Sequence, residues 1–244
     1  MDWSDEGIIL STRSHGETNA IVEVLTRAHG RHLGLVRGGR SRRQRPALQS
    51  GNVVSAHWRA RLAEHLGNYT LEMIEARAAL ALDDAMALAG LSTLCALAHL
   101  LPEREPHSAL HDTARLVLDH IVEPDIWPGL LVRWEMGLLE ELGFRLDLSA
   151  CVKTGGTQEL IYVSPKSGRA VSREAGAPYA SKLLALPAFL KPNGGTKLAP
   201  QDLLAGFALT GHFLELNVFR PRGLTMPEAR NRLLVRLGRE INSP

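Results

Sequence analysis

From Gly7 to about Arg77 the apolar residues come in short runs broken by turns, which is the pattern of strands and not of helices. Gly7-Ile8-Ile9-Leu10-Ser11 predicts a first strand, and the β-branched run Ala20-Ile21-Val22-Glu23-Val24-Leu25-Thr26 a second that ends at the turn His29-Gly30. His32-Leu33-Gly34-Leu35-Val36 predicts a third, Asn52-Val53-Val54-Ser55-Ala56-His57-Trp58-Arg59 a fourth, and Asn68-Tyr69-Thr70-Leu71-Glu72-Met73-Ile74 a fifth. Five short strands in about seventy residues, with little room for helix between them, favour a closed barrel, because closure leaves no exposed strand edge. An OB-fold and an SH3-like barrel both fit this pattern.

Around Ala76 the period lengthens to that of helices. Asp83 or Asp84 is placed to cap a helix running to Leu101, where Pro102 stops it, with Leu88, Leu91, Leu94 or Cys95, and Ala98 as its apolar stripe. Residues 107–122 repeat the pattern, and Pro128 opens a third helix with Gly143 at its C-terminal cap. The period then breaks. Residues 144–148 read as extended, Cys151-Val152-Lys153-Thr154-Gly155-Gly156-Thr157 as a tight knuckle, and residues 160–172 as a hairpin turning at Ser164-Pro165-Lys166-Ser167-Gly168. This is the layout of a zinc ribbon, but a ribbon takes four Cys or His ligands and Cys151 alone supplies one, so no metal is expected. Helical pattern resumes near Ala180, is interrupted at Pro187 and Pro192 with a loop over Lys191-Pro192-Asn193-Gly194-Gly195, and returns from Gln201 through Phe207 and Leu214. Thr225-Met226-Pro227-Glu228 forms a capping box for a last helix, with Leu233, Leu234, Leu237 and Ile241 on one side and Arg232, Arg236 and Arg239 on the other. The expected organisation is α+β: a barrel domain over 1–78 and a helical domain over 79–244, with a ribbon-like insertion at 144–178.

Charge changes this picture locally. The 244 residues hold 28 Lys and Arg against 26 Asp and Glu, a net charge of only +2, so positive charge must be concentrated to matter. It is concentrated between the third and fourth strands, in Arg37-Gly38-Gly39-Arg40-Ser41-Arg42-Arg43-Gln44-Arg45, five arginines with no acid among them. Such a run repels itself and is kept where solvent or a polyanion takes up the charge. Guanidinium groups fork onto phosphate oxygens and stack on bases, and Gly38 and Gly39 allow close backbone approach. Trp58 and Tyr69 are stacking platforms if they face a groove, and core residues otherwise, the commoner fate of a lone strand aromatic.

No catalytic constellation accompanies the loop. Ten histidines fall in no metal-ligand spacing, Cys95 lies within an apolar helix, and the glycine pairs 38–39 and 155–156 lack the spacing of a P-loop or dinucleotide fingerprint. Asp83-Asp84 and Glu140-Glu141 are neighbours that point apart on a helix. No cofactor is expected. Two cysteines without framework spacing indicate a reducing, cytoplasmic setting, the acidic N-terminus lacks a signal peptide, and the longest apolar run, 85–101, carries Ser92, Thr93 and His99, so no membrane role is indicated.

Taken in order, these features resemble the RecO family of bacterial recombination mediators. The resemblance rests on Gly7-Ile8-Ile9-Leu10 with Arg13, on Gly16-Glu17-Thr18-Asn19-Ala20-Ile21, Thr26-Arg27 and His29-Gly30, on the strand into Arg37-Gly38-Gly39-Arg40, and on Leu48-Gln49. It implies an OB-fold barrel, then a helical domain interrupted by a small ribbon. Many members hold zinc there through two Cys-x-x-Cys pairs; here Thr154 stands in place of the second cysteine and residues 171–174 supply no second pair, so the ribbon is degenerate and metal-free. The resemblance further implies a non-catalytic protein that binds single- and double-stranded DNA, anneals complementary strands, and works with RecR and single-stranded DNA-binding protein (SSB) to load recombinase, at the bacterial nucleoid. Arg37, Arg40, Arg42, Arg43, Arg45 and Arg59 are then the DNA-binding candidates. An apolar pocket rimmed by arginine in the helical domain would dock the acidic C-terminal tail of SSB, with Arg115, Arg133, Arg220 and Arg222 as candidates by charge and helical context. The alternative is a non-catalytic scaffold whose barrel docks a partner protein.

Overall fold

The structure is a computed structural model that describes residues 1–191, 194 and 198–242, the last three without their side chains. The chain divides into two compact units, Met1–Pro124 and Asp125 onward.

In the first unit five strands, β1 (Asp2–His15), β2 (Asn19–Thr26), β3 (Gly30–Val36), β4 (Val53–Arg59) and β5 (Asn68–Glu75), close in the order β1-β2-β3-β5-β4. All pairs are antiparallel except β3 with β5, joined in parallel through Leu35 and Asn68, and this closure selects the OB arrangement over the SH3-like one. β1 begins five residues earlier than its apolar run suggests, because the acidic start Asp2-Trp3-Ser4-Asp5-Glu6 pairs with β4 from Asp2↔Arg59 to Glu6↔Ser55. An irregularity in register between Ile9 and Ser11 lets this long strand bend around the barrel. The interior is filled by Ile9, Val22, Val24, Val54, Ala56, Trp58, Tyr69 and Leu71, so both strand aromatics are core residues.

Three helices pack with the barrel: α1 (Arg77–Ala81), α2 (Ala85–Ala98) and α3 (Ser108–Asp119). Asp84 caps α2, its carboxylate accepting from the amides of Met86 at 2.7 Å and Ala87 at 3.2 Å. The helix ends at Ala98, short of the expected Leu101. α2 lies against β1, where the Cys95 thiol donates to the Ile9 carbonyl at 3.7 Å and burial pushes its pKa up to about 12, leaving a small core residue and not a nucleophile.

The second unit is built on α4 (Trp127–Glu141), which stops where Gly143, at φ +89°, lets the Phe144 amide reach back to the Leu139 carbonyl at 2.7 Å. Next come β6 (Leu160–Val163), β7 (Ala170–Ser172) and a one-turn helix, α5 (Arg173–Gly176). The expected helix near Ala180 is instead a 3-10 segment, Ala177–Lys182, followed by β8 (Leu184–Ala185), which joins the hairpin to give a sheet of order β7-β6-β8. The segment ends at Leu183, which turns to extended backbone at φ −100° and ψ 150° and leads into β8 beside β6. α6 (Pro200–Leu214) runs into a π-helical turn, Glu215–Phe219, and α7 (Glu228–Asn242) closes the unit. Pro192, Asn193 and Gly195 of the expected loop, and the Ile241 side chain, lie outside what is described.

One buried ion pair ties this unit together. Arg230 on α7 donates to both carboxylate oxygens of Glu135 on α4, at 2.8 and 2.9 Å, and to the Phe207 carbonyl on α6 at 2.7 Å, while the Thr210 hydroxyl donates to the same carboxylate. Both charged side chains are buried, and each is satisfied by several hydrogen bonds. Among the described residues no helix is long and apolar enough to cross a membrane.

Candidate nucleic-acid interface

The segment between β3 and β4 is a folded loop. Gly38 takes φ +66° and its amide donates to the Asn19 side chain at 3.1 Å; a Cβ at Gly39 would stand 2.8 Å from that of Ala20 and 3.2 Å from Leu48. Successive turns follow, with the amide of Arg45 bonded to the Ser41 carbonyl and that of Leu48 to the Gln44 carbonyl, each at 3.1 Å. Leu48 inserts into the barrel core, and the loop's far side is pinned by Thr12 donating to the Leu48 carbonyl at 2.8 Å and by the Asn52 amide group donating to the carbonyls of Pro46 and Ala47. Turn hydrogen bonds, the side chains of Asn19, Thr12 and Asn52, and one apolar anchor therefore hold the loop in place without calling on Arg37, Arg42, Arg43 or Arg45.

This construction leaves four of its five arginines free. Arg37, Arg42, Arg43 and Arg45 are exposed, and among the described residues none of them forms an ion pair. Arg40 differs: its guanidinium donates to the Gly16 and Glu17 carbonyls at 2.8 and 2.9 Å, and its amide to Thr18, locking the loop onto the β1–β2 turn. Arg59 is exposed too, but at the far end of β4, across from Asp2.

Arg13 and Arg61 are likewise exposed and without an ion pair among the described residues, whereas Arg31, Arg77 and Arg115 are committed. Arg31 bonds to Glu23 and to the Leu101 carbonyl, and His99 approaches Glu23 at 2.7 Å. Burial would raise the Glu23 pKa, but His99 and Arg31 outweigh it and hold the carboxyl down to about 2. Arg115, with only 18% of its side chain exposed, sits among Glu75 at 3.1 Å, Glu6 at 3.5 Å and Asp119 at 4.0 Å, and Arg77 bridges Glu75 and Asp119 as well. Its charge is already balanced inside the first unit.

Arg133, Arg220 and Arg222 belong to the second unit. Arg220 and Arg222 are exposed at the turn after the π-helical segment. Arg133 lies on α4, donates to the Phe189 carbonyl, and is shared by two cavities. One, of about 310 Å³, is mostly apolar, lined by Ile126, Gly129, Leu130, Phe189 and Leu198 with Asp125 beside Arg133; the other, of about 570 Å³, carries Arg145, paired with Glu140 at 3.3 Å, and Lys191 besides Arg133, with Asp147 as its acid. Arg145 and Lys191 escaped the sequence reading because each looks like an ordinary solvated charge until the fold brings them beside Arg133.

In the knuckle, the Ser172 amide donates to the Cys151 sulfur at 3.3 Å. Burial would push this thiol up, but hydrogen bonds from Ser172 and Thr154 bring its pKa down to about 6. Among the described residues no group of three or more His, Cys, Asp or Glu side chains is arranged to hold a metal ion.

Two family models match the chain: the recombination protein O N-terminal model over residues 1–77 and the C-terminal model over 82–225. The chain is 54% identical over 237 residues to the DNA repair protein RecO of Mesorhizobium japonicum, covering 97% of this chain and 94% of that one. It is 52% identical over 242 residues to that of Brucella abortus, with 99% and 98% covered, and 53% identical over 247 residues to that of Rhodopseudomonas palustris, with 100% and 99% covered.

Proposed function

Since the chain belongs to the RecO family, we propose that it acts in DNA repair as a non-catalytic mediator that binds DNA through the arginine loop, anneals complementary strands and assists recombinase loading. The observation that carries this reading is the contrast within one barrel: Arg37, Arg42, Arg43 and Arg45 stand unpaired on a loop that is folded without their help. A folded backbone fixes where the four side chains start, so only the side chains, and not the loop, remain to be ordered when phosphates arrive. Annealing then needs two strands to be neutralised and brought together, and base pairing drives the product.

Partner docking belongs to the second unit in this proposal. The apolar cavity beside Arg133 suits the acidic, apolar-ended tail of SSB, with Arg145 and Lys191 in the adjoining cavity to receive the acidic residues. Arg220 and Arg222 remain available for RecR or for DNA. An Arg133→Ala variant is expected to lose affinity for a tail peptide while keeping affinity for bare oligonucleotide, as read by fluorescence anisotropy.

The whole proposal is tested by annealing complementary oligonucleotides, bare and coated with SSB. The expected result is acceleration on both substrates. Failure on both, with the protein folded, leaves the barrel as a docking module for another protein, the second reading of this fold.

A further inference from the structure

The arginine loop follows the end of β3 and is tied to the turn that ends β1. The starts of those same strands build a different feature at the other mouth of the barrel, a cleft of about 480 Å³ whose lining includes Trp3, His29, His32, Trp58 and Arg104. Trp3 sits parallel to His29, with ring centroids 4.2 Å apart and planes at 15°, and parallel to Trp58 at 5.8 Å and 17°. His32 meets both tryptophans edge-on. The result is a column of rings, Trp58–Trp3–His29, that starts in the core and climbs to the surface, ending at the partly exposed His29 on the β2–β3 turn. The wall is held from outside: Arg104, at φ +63°, donates to the carbonyls of Ala63, Glu64 and His65 in the β4–β5 loop and has no ion-pair partner among the described residues. The lining's one acid, Asp2, stands opposite Arg59 in the β1–β4 register.

We propose that this cleft is a base-stacking site for single-stranded DNA, in which an unstacked nucleobase extends the aromatic column past His29 while the exposed Arg59 receives its phosphates and Arg104 keeps the wall in place. Stacking on aromatic rings tolerates any base, since every base has a π-face, and barrel mouths are favoured places for ligands. Bases inside a duplex are already stacked and do not enter, so the cleft gives the protein a preference for single strands that the arginine loop alone does not supply. Burial keeps His32 neutral, its pKa lowered to about 4, so the cleft's inner wall is aromatic without being charged. β3 runs from His32 in the cleft to Arg37 in the loop, about 16 Å at the usual rise per residue, a distance a short oligonucleotide spans. The inference rests on the DNA-binding reading and adds to it a second contact of different chemistry.

The test compares an oligo-dT with the same oligonucleotide carrying abasic sites, followed by anisotropy of an end label and by tryptophan emission. Trp58, Trp127 and Trp134 are buried, so Trp3, directly beneath His29 in the column, is the tryptophan nearest to a base stacked there. The wild-type chain is expected to bind oligo-dT more tightly than the abasic strand and to lose tryptophan emission on binding it. Trp3→Phe should abolish that quench, and His29→Ala should weaken oligo-dT binding roughly 5- to 100-fold while leaving the abasic strand's affinity unchanged. Equal affinity of the wild type for both strands, or a quench that survives in Trp3→Phe, overturns the stacking site and leaves the phosphate reading standing. Binding of neither strand overturns both. If Trp3→Phe does not fold, His29→Ala decides alone: an unchanged preference for oligo-dT over the abasic strand overturns the proposal.

Discussion

Two sets of arginines in the same unit carry the same formal charge and are used in opposite ways. Along the seam between barrel and helices, Arg31, Arg77 and Arg115 each lie against carboxylates, partly or largely buried, and fasten one element to another. On the β3–β4 loop, Arg37, Arg42, Arg43 and Arg45 stand in solvent with no such partner among the described residues, on a backbone held by Leu48 and by turn hydrogen bonds. The difference teaches that charge becomes a binding surface only where the fold declines to neutralise it. Seam arginines fasten elements together, and the loop arginines are the ones proposed for recognition, so each set has its own readout.

The sharpest break of that contrast comes from the fully buried example in the second unit. Arg230→Ala strands the Glu135 carboxylate without its partner and is expected to cost about 3–5 kcal/mol in urea unfolding, whereas Arg230→Met combined with Glu135→Leu should restore most of the loss. A small cost for the single change would mean that the pair is not the fastening it looks like.

The next effect is one of pH. Glu23 has a folded pKa of about 2, below its ordinary 4.5, so its ion pairs stabilise the protein fully above pH 4.5 and lose that contribution as the pH falls toward 2. Chemical denaturation across this window should show the wild type losing up to about 3 kcal/mol from this group. Glu23→Gln should flatten that part of the profile and lower stability at pH 7. An unchanged profile would detach Glu23 from the seam.

Arg40 lies between the two sets, exposed like the loop arginines yet bonded to the β1–β2 turn. Arg40→Ala should cost about 1 kcal/mol of stability, whereas Arg37→Ala, Arg42→Ala and Arg43→Ala should each stay within about 0.5 kcal/mol by thermal unfolding. Equal effects at all four positions would erase the distinction between Arg40 and its neighbours.

Much of the fold was legible because burial imposes a period. The alternation along β4 and the first half of β5 exists because one face of each strand fills the barrel, the nearly continuous burial of β2 because both of its faces are covered, and the capping of α2 by Asp84 follows from that side chain's reach. Less was legible where a tertiary partner decides. The start of β1 carries polar residues because its strand pairing, and not an apolar face, holds it, so only the lone Trp3 in an alternating position hints at a strand there. β8 is two residues long, too short for any period, and exists because β6 offers it an edge. Of the site, the arginine run was plain, but its rigidity was not, since it depends on Leu48 finding the core. Trp3 and His29 come together only through strand pairing, and Arg115 looked free because its carboxylate partners Glu6 and Glu75 lie far from it in sequence.

The central claim, that the unpaired loop arginines hold DNA phosphates, is tested most directly by the salt dependence of oligonucleotide binding in a variant with Arg37, Arg42, Arg43 and Arg45 all changed to Ala. Each phosphate that is no longer neutralised should lower the slope of log affinity against log salt by about 0.7 for single strands, so the account predicts a slope shallower by up to about 3 and a large fall in low-salt affinity, with the protein still folded. A slope and affinity equal to those of the wild type would contradict it.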